Sequence, residues 1–198
     1  MIELLAITDD ATPPEPPLGT VRCGELSVLW APASEGAVDA DTLWQREALL
    51  ERLMEQRDLL PVRFGTVVAD EHAVAEAIRP RAASLAEALE RVRGAVELSV
   101  RAVAPEPEQA RTPTGRDYLR DRVARERLAR ELHAALAAAA RDSAIHDGPE
   151  VLRAAYLVDR GGVDAFVVRF RELQQEHTGV AMLCTGPWPP YSFTGGAG

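Results

Sequence analysis

A leucine at every fourth position constrains this chain most. Leu128, Leu132 and Leu136 recur at i+4, with Ala124, Ala135 and Ala139 beside them, so residues 116–140 read as a long helix with one apolar stripe. A helix of that kind buries its stripe only against another layer of structure. Its neighbours in sequence supply the layer. Ala95–Ala104 and Val151–Val158 are short, apolar and β-prone. Val163–His177 carries Phe166, Val167, Phe170 and Leu173 at helical spacing and stops at Gly179, after which Val180–Thr185 reads as a final strand. Strand, helix, strand, helix, strand predicts an open α+β sandwich, ferredoxin-like in the broad sense. Leu119 and Val123 fall on nearly the opposite side of the helical wheel from the leucines. They are expected to pack across the boundary between the two halves of the chain.

The first half reads as a separate α+β domain. Ile2–Thr8 is a short apolar strand, and Val21–Ala31 a second one, its hairpin partner. Between them, prolines 13, 14, 16 and 17 mark a surface loop. Residues 41–58 form a helix with Leu43, Leu50 and Met54 on one face, capped by Asp39 or Asp41. Leu59–Val68 breaks the helical period and reads as strand plus turn. Asp70 then caps a helix through Val74 and Ile78, which Pro80 kinks or restarts, and Gly94 ends the run. Pro105–Thr114, with three prolines, is the best linker, giving domains 1–104 and 105–198.

Charge narrows the function classes. The net charge of −9 argues against a nucleic-acid partner. It is uneven: residues 1–104 hold ten arginines against eighteen acidic residues, and residues 105–198 hold twelve against thirteen. No apolar run approaches the roughly 18–20 residues of a membrane span. The start, Met1-Ile2-Glu3-Leu4-Leu5, lacks a basic segment and a cleavage site, so no secretory leader is read and the cytoplasm is the expected compartment.

Catalytic and metal motifs do not emerge. Cys23 and Cys184 form no CxxC, and His72, His133, His146 and His177 form neither HxxxH nor HExxH. The cysteines read as small buried apolar side chains and His133 as a solvated or half-buried residue of the long helix. No nucleophile elbow, dinucleotide fingerprint or phosphate loop occurs. The expected cofactor content is none.

Two segments stand out instead. Leu59-Leu60-Pro61-Val62-Arg63-Phe64-Gly65-Thr66-Val67-Val68 is an apolar strand with one embedded arginine and a glycine. Arg63 either points outward or, if buried, needs a carboxylate or carbonyl partner. Gly186-Pro187-Trp188-Pro189-Pro190-Tyr191-Ser192-Phe193 puts three aromatic rings on a path that three prolines stiffen. The prolines are expected to take it out of the sheet at Gly186. Its aromatic area is expected to lie at least half buried against the protein's own surface, with a docking peptide for a partner as the alternative.

These two segments together make the chain resemble the gas vesicle protein F/L family. Weaker matches lie in order between them, at Gly115-Arg116-Asp117-Tyr118-Leu119 and at Ala155-Tyr156-Leu157-Val158 before Phe166. The resemblance covers about residues 1–193. It implies a two-domain α+β protein whose second domain is a modified ferredoxin-like sandwich with a long helix. It further implies an assembly factor or minor structural component that binds the main gas vesicle shell protein and other accessory proteins, without catalysis or cofactor. Association with gas vesicles in the cytoplasm, and no nucleic-acid partner, go with that reading. The positions expected to matter most are Pro61, Arg63, Phe64, Gly65, Trp188, Pro189 and Tyr191. A small-molecule sensor or enzyme on a ferredoxin-like scaffold is the rival reading, since fold alone does not give function.

Overall fold

The computed structural model describes residues 1–33, 39–104 and 115–195, with residues 115–118 described in backbone only. The expected linker, Pro105–Thr114, lies outside the described residues. The chain divides into two compact units: Met1–Ala95 together with the tail from Trp188, and Val96–Pro187. This differs from a division at the proline-rich stretch in two ways. The strand that begins at Ala95 belongs to the second unit, because it pairs within that unit's sheet. The tail belongs to the first unit, where Tyr191 finds a hydrogen-bond partner.

The first unit is an antiparallel sheet with three helices. Its strands are β1 (Ile2–Thr8), β2 (Gly19–Cys23), β3 (Leu26–Pro32), β4 (Leu60–Pro61) and β5 (Val67–Val68). They order as β2-β3-β1-β4, with β5 also pairing on β1. The stretch 21–31 is therefore two strands rather than one, folded at Gly24, whose φ of 68° is a conformation that glycine adopts without strain. β3, not β2, lies against β1. The helices are α1 (Ala40–Gln56), α2 (Glu71–Ile78) and α3 (Ala82–Val92). Asp39 caps α1, its carboxylate accepting from the Thr42 N–H at 2.8 Å, and Asp70 caps α2 in the same way through Ala73 at 3.0 Å. Pro80 sits in a 3₁₀ turn between α2 and α3.

The second unit runs β6 (Ala95–Val103), α4 (Gly115–Ala137), β7 (Asp142–Ile145), β8 (Leu152–Asp159), α5 (Val163–Glu176) and β9 (Ala181–Trp188). The sheet order β7-β8-β6-β9 places β8 between the two strands that α4 connects, which is the split βαβ pattern of a ferredoxin-like sandwich. β7 is a strand that periodicity missed. Its sequence, Asp-Ser-Ala-Ile, has little β propensity, and pairing with β8 from Asp142↔Leu157 to Ile145↔Ala154 creates it.

The core of this unit gathers Leu98 and Val100 from β6, Leu132 and Leu136 from α4, Tyr156 and Val158 from β8, and Phe166, Phe170 and Leu173 from α5. The leucine stripe thus does what its spacing requires. Tyr156 is fully buried, with its ring 5.2 Å from that of Phe166 and its hydroxyl 3.1 Å from Nδ1 of the half-buried His133. Cys23 and Cys184 are free thiols, both only half-buried.

Two expectations are corrected here. Leu119 and Val123, expected to be covered, are 59% and 62% exposed among the described residues. The tail does not leave the sheet at Gly186 either, since β9 continues to Trp188. The reason is position, because β9 is an edge strand, where proline costs no ladder hydrogen bond on the open side.

The two ends of α4 should respond differently to truncation. Leu132→Ala, at a fully buried site, is expected to cost about 2–5 kcal/mol. Leu119→Ala on the same helix should stay within about 0.5 kcal/mol. Urea denaturation of the two variants measures both.

Candidate functional site

The site is built on α1, which carries a charged residue on its apolar side. Arg46 precedes Leu50 by four positions and Leu53 by seven, and all three are buried. A buried guanidinium must fill its donors. Arg46 fills its two terminal nitrogens by clamping three pieces of chain together. One terminal nitrogen pairs with Glu3 Oε1 on β1 at 2.9 Å. The other donates to the Leu4 carbonyl at 3.1 Å and to the Val62 carbonyl at 2.6 Å. Its charged carbon also lies 5.4 Å from the centre of the Phe64 ring, in cation–π range.

That clamp shapes the turn at residues 62–66. The Val62 N–H bonds the Leu5 carbonyl at 2.9 Å, and the Leu4 N–H bonds the Thr66 carbonyl at 2.9 Å, so both ends of the turn are sewn to β1. Inside the turn, the Gly65 N–H donates to Glu3 Oε1 at 3.1 Å, the same oxygen that Arg46 holds. Gly65 has φ +78°, which a side chain would strain even though there is open space beside it. Pro61 is buried, Phe64 half-buried and Arg63 exposed. The buried arginine is therefore Arg46, not Arg63.

The tail reaches the same place. After β9, Pro189 and Pro190 are buried and Trp188 is more than half buried. Residues 191–193 form a 3₁₀ turn that buries Phe193. The Tyr191 hydroxyl donates to Glu47 Oε1 at 2.9 Å, one residue along α1 from the clamp. Burial first, and the charge of Glu47 second, push the pKa of Tyr191 above the usual tyrosine value. Glu47, Pro61, Arg63, Phe64, Tyr191 and Thr194 line an open cavity of about 280 Å³.

Of the seven residues singled out from sequence, Pro61, Arg63, Phe64 and Tyr191 meet at this cavity. Gly65 shapes its rim, and Trp188 and Pro189 belong to the stretch that carries Tyr191 in. Sequence reading missed Arg46 and Glu47. The signal for Arg46 was present, a lone cation on the apolar face of a helix. Nothing local marks Glu47, whose partner is 144 positions away. Pro61, Phe64 and the Tyr191 ring line the cavity beside a cation, a carboxylate and a hydroxyl. Among the described residues no three His, Cys, Asp or Glu side chains gather as a metal site, and no helix is long and apolar enough to cross a membrane.

Two expectations test this geometry. Arg46→Met strands Glu3 and two carbonyls, so a loss of about 3–5 kcal/mol is expected in chemical denaturation. Tyr191→Phe should cost about 1–2 kcal/mol near neutral pH. Because the hydroxyl's pKa is raised in the folded state, its contribution is full below the unfolded value of about 10 and is lost as pH rises through the folded one. The wild-type chain should therefore lose more stability than the Phe variant on going to strongly alkaline pH, as measured by melts across that range.

Comparison with known proteins gives a consistent result. The sequence model of the family described as gas vesicle synthesis protein GvpL/GvpF matches residues 7–122 and 118–195. Gas vesicle protein L of Streptomyces sp. (strain CB03234) is 33% identical across 79% of this chain and 70% of its own length. Gas vesicle protein F2 of Halobacterium salinarum is 25% identical across 81% and 69%. The crystal structures of GvpF from Microcystis aeruginosa and from Anabaena sp. PCC7120 superpose with TM-scores of 0.80 and 0.78, each at 17% identity. They cover 98% of this chain, and 98% and 97% of their own, and so share its fold.

Proposed function

The chain belongs to the gas vesicle synthesis protein GvpL/GvpF family, and we propose that it acts in vesicle formation as an assembly factor or minor structural component that binds the main shell protein. The observation that carries this reading is the convergence of the two family-like segments on one cavity. A turn from residues 61–65 and a tail from residues 188–194, far apart in sequence, are held at the same place by neighbouring residues of α1.

The chemistry is binding rather than catalysis. A shell subunit must stay dispersed until it joins the growing wall, so its apolar surface needs temporary cover. Phe64, Pro61 and the Tyr191 ring offer apolar area for one or two side chains of such a subunit, and Arg63 and Glu47 fix their orientation. Gly65, Trp188 and Pro189 act one step back, holding the turn and the tail. The surrounding unit carries nine arginines against seventeen acidic residues, which keeps a loaded complex soluble by like-charge repulsion. Other gas vesicle accessory proteins are the further partners on this reading, and the vesicle in the cytoplasm is its place of work.

A pull-down of the shell protein tests the proposal. Binding is expected to survive about 0.5 M salt, where screening shortens to a few Å, because apolar contact carries it. Arg63→Ala should leave the melting temperature unchanged and weaken binding. Binding that disappears at that salt, or that ignores both Arg63→Ala and Phe64→Ala, overturns the assignment of this cavity.

A further inference from the structure

α4 is longer than the sheet it covers. Its apolar stripe is engaged from Leu128 onward, whereas residues 119–127 are exposed all the way round. This free stretch is basic in an otherwise acidic protein: residues 116–130 contain six arginines against three acidic residues. Arg122 is taken up by Glu126 at 2.9 Å. Arg120 and Arg127 have no ion-pair partner among the described residues. The two exposed apolar side chains, Leu119 and Val123, lie on the same helical face as Arg120, Arg127 and Arg130. A helix end with this composition gains little by standing alone in water, since Leu and Val there are half to two-thirds exposed.

The opposite composition lies on the outer face of α1. Trp44 is 69% exposed, the largest exposed aromatic among the described residues. It shares a stripe with Asp41, Ala48, Glu51 and Glu55. None of these three acids has an ion-pair partner among the described residues. Arg52 is the one cation beside them. Glu47 and Arg46 are occupied elsewhere, with Tyr191 and Glu3.

The two stripes also match in spacing. Taking Trp44 and Val123 as origins, Asp41 and Arg120 both lie three positions before, and Glu51 and Arg130 both lie seven positions after. Laid parallel, the helices bring Glu51 to Arg130 near the seam centre and the indole against Leu119 and Val123, and the basic face as a whole meets the acidic one. We propose that the free end of α4 docks on the Trp44 face of α1 in a second copy of this chain. Each molecule carries both faces, so the contact is head-to-tail and can repeat along a row of molecules. The matched stretch, Asp41 to Glu51, is only about 15 Å long. That is small for a stable interface, so association is weak and appears at roughly tens to hundreds of micromolar protein. This surface is separate from the cavity proposed for the shell protein, and either assignment can fail without the other.

Sedimentation velocity on the full chain tests it. At low salt the weight-average mass should rise with concentration above 21.5 kDa, and about 0.5 M salt should return it toward that value. Trp44→Glu and Val123→Glu, both at exposed positions, should each hold the protein monomeric with an unchanged melting temperature. Glu51→Gln is a milder check that weakens association several-fold. The decisive sample is an equimolar mixture of the first two variants. One keeps a good α4 and the other a good α1, so the mixture should form a dimer and stop there. A chain that stays monomeric at all concentrations, a single variant that still associates, or a mixture that stays monomeric overturns the proposal.

Discussion

One buried guanidinium organises the first unit. Arg46 costs the fold a desolvated charge, and it is tolerable only because Glu3 neutralises it while the Leu4 and Val62 carbonyls fill the remaining geometry. That requirement works in both directions. It draws α1 onto the start of β1, and it fixes where the chain must turn after Pro61. Glu3 is shared between Arg46 and the Gly65 N–H, so helix, strand and turn are coupled through one carboxylate. Neutral packing residues at 3 and 46 would hold the layers together. They would not specify the turn.

The tail depends on that arrangement at one remove. Its prolines limit the shapes it can take, which lowers the entropy lost on ordering. The final position is set by Phe193, buried, and Tyr191, bonded to Glu47. Because Glu47 follows Arg46 directly, the same helix turn that pins the 62–66 loop also receives the tail. The cavity is the gap left where two rigid segments meet a third. It is open, and Phe64 and Tyr191 line it together with Arg63 and Glu47.

The second unit follows a different logic. Its core is apolar and built from one stripe on each of α4 and α5 against β6 and β8, with the Tyr156 hydroxyl and His133 adding a polar contact. Such a core needs α4 only from Leu128 on. The rest of the helix is extra length, rich in arginine, and its retention as helix rests on local propensity and i,i+4 pairing such as Arg122–Glu126.

Elements whose evidence is local were legible along the chain. The leucine stripe of α4, the aromatic stripe of α5, the aspartate caps of α1 and α2, and the strand-turn character of residues 59–68 all rest on neighbours within a few positions. The wheel correctly set Leu119 and Val123 apart from the apolar stripe, and both are exposed. Features whose partners are distant emerged only in three dimensions. β7 exists because β8 pairs with it. β9 tolerates its prolines because it is an edge. Arg46 rather than Arg63 is buried because Glu3 and two carbonyls await it, and Tyr191 finds Glu47 across most of the chain. A hydrogen bond or ion pair stabilises only when both partners arrive together, and periodicity along one segment carries no record of the other.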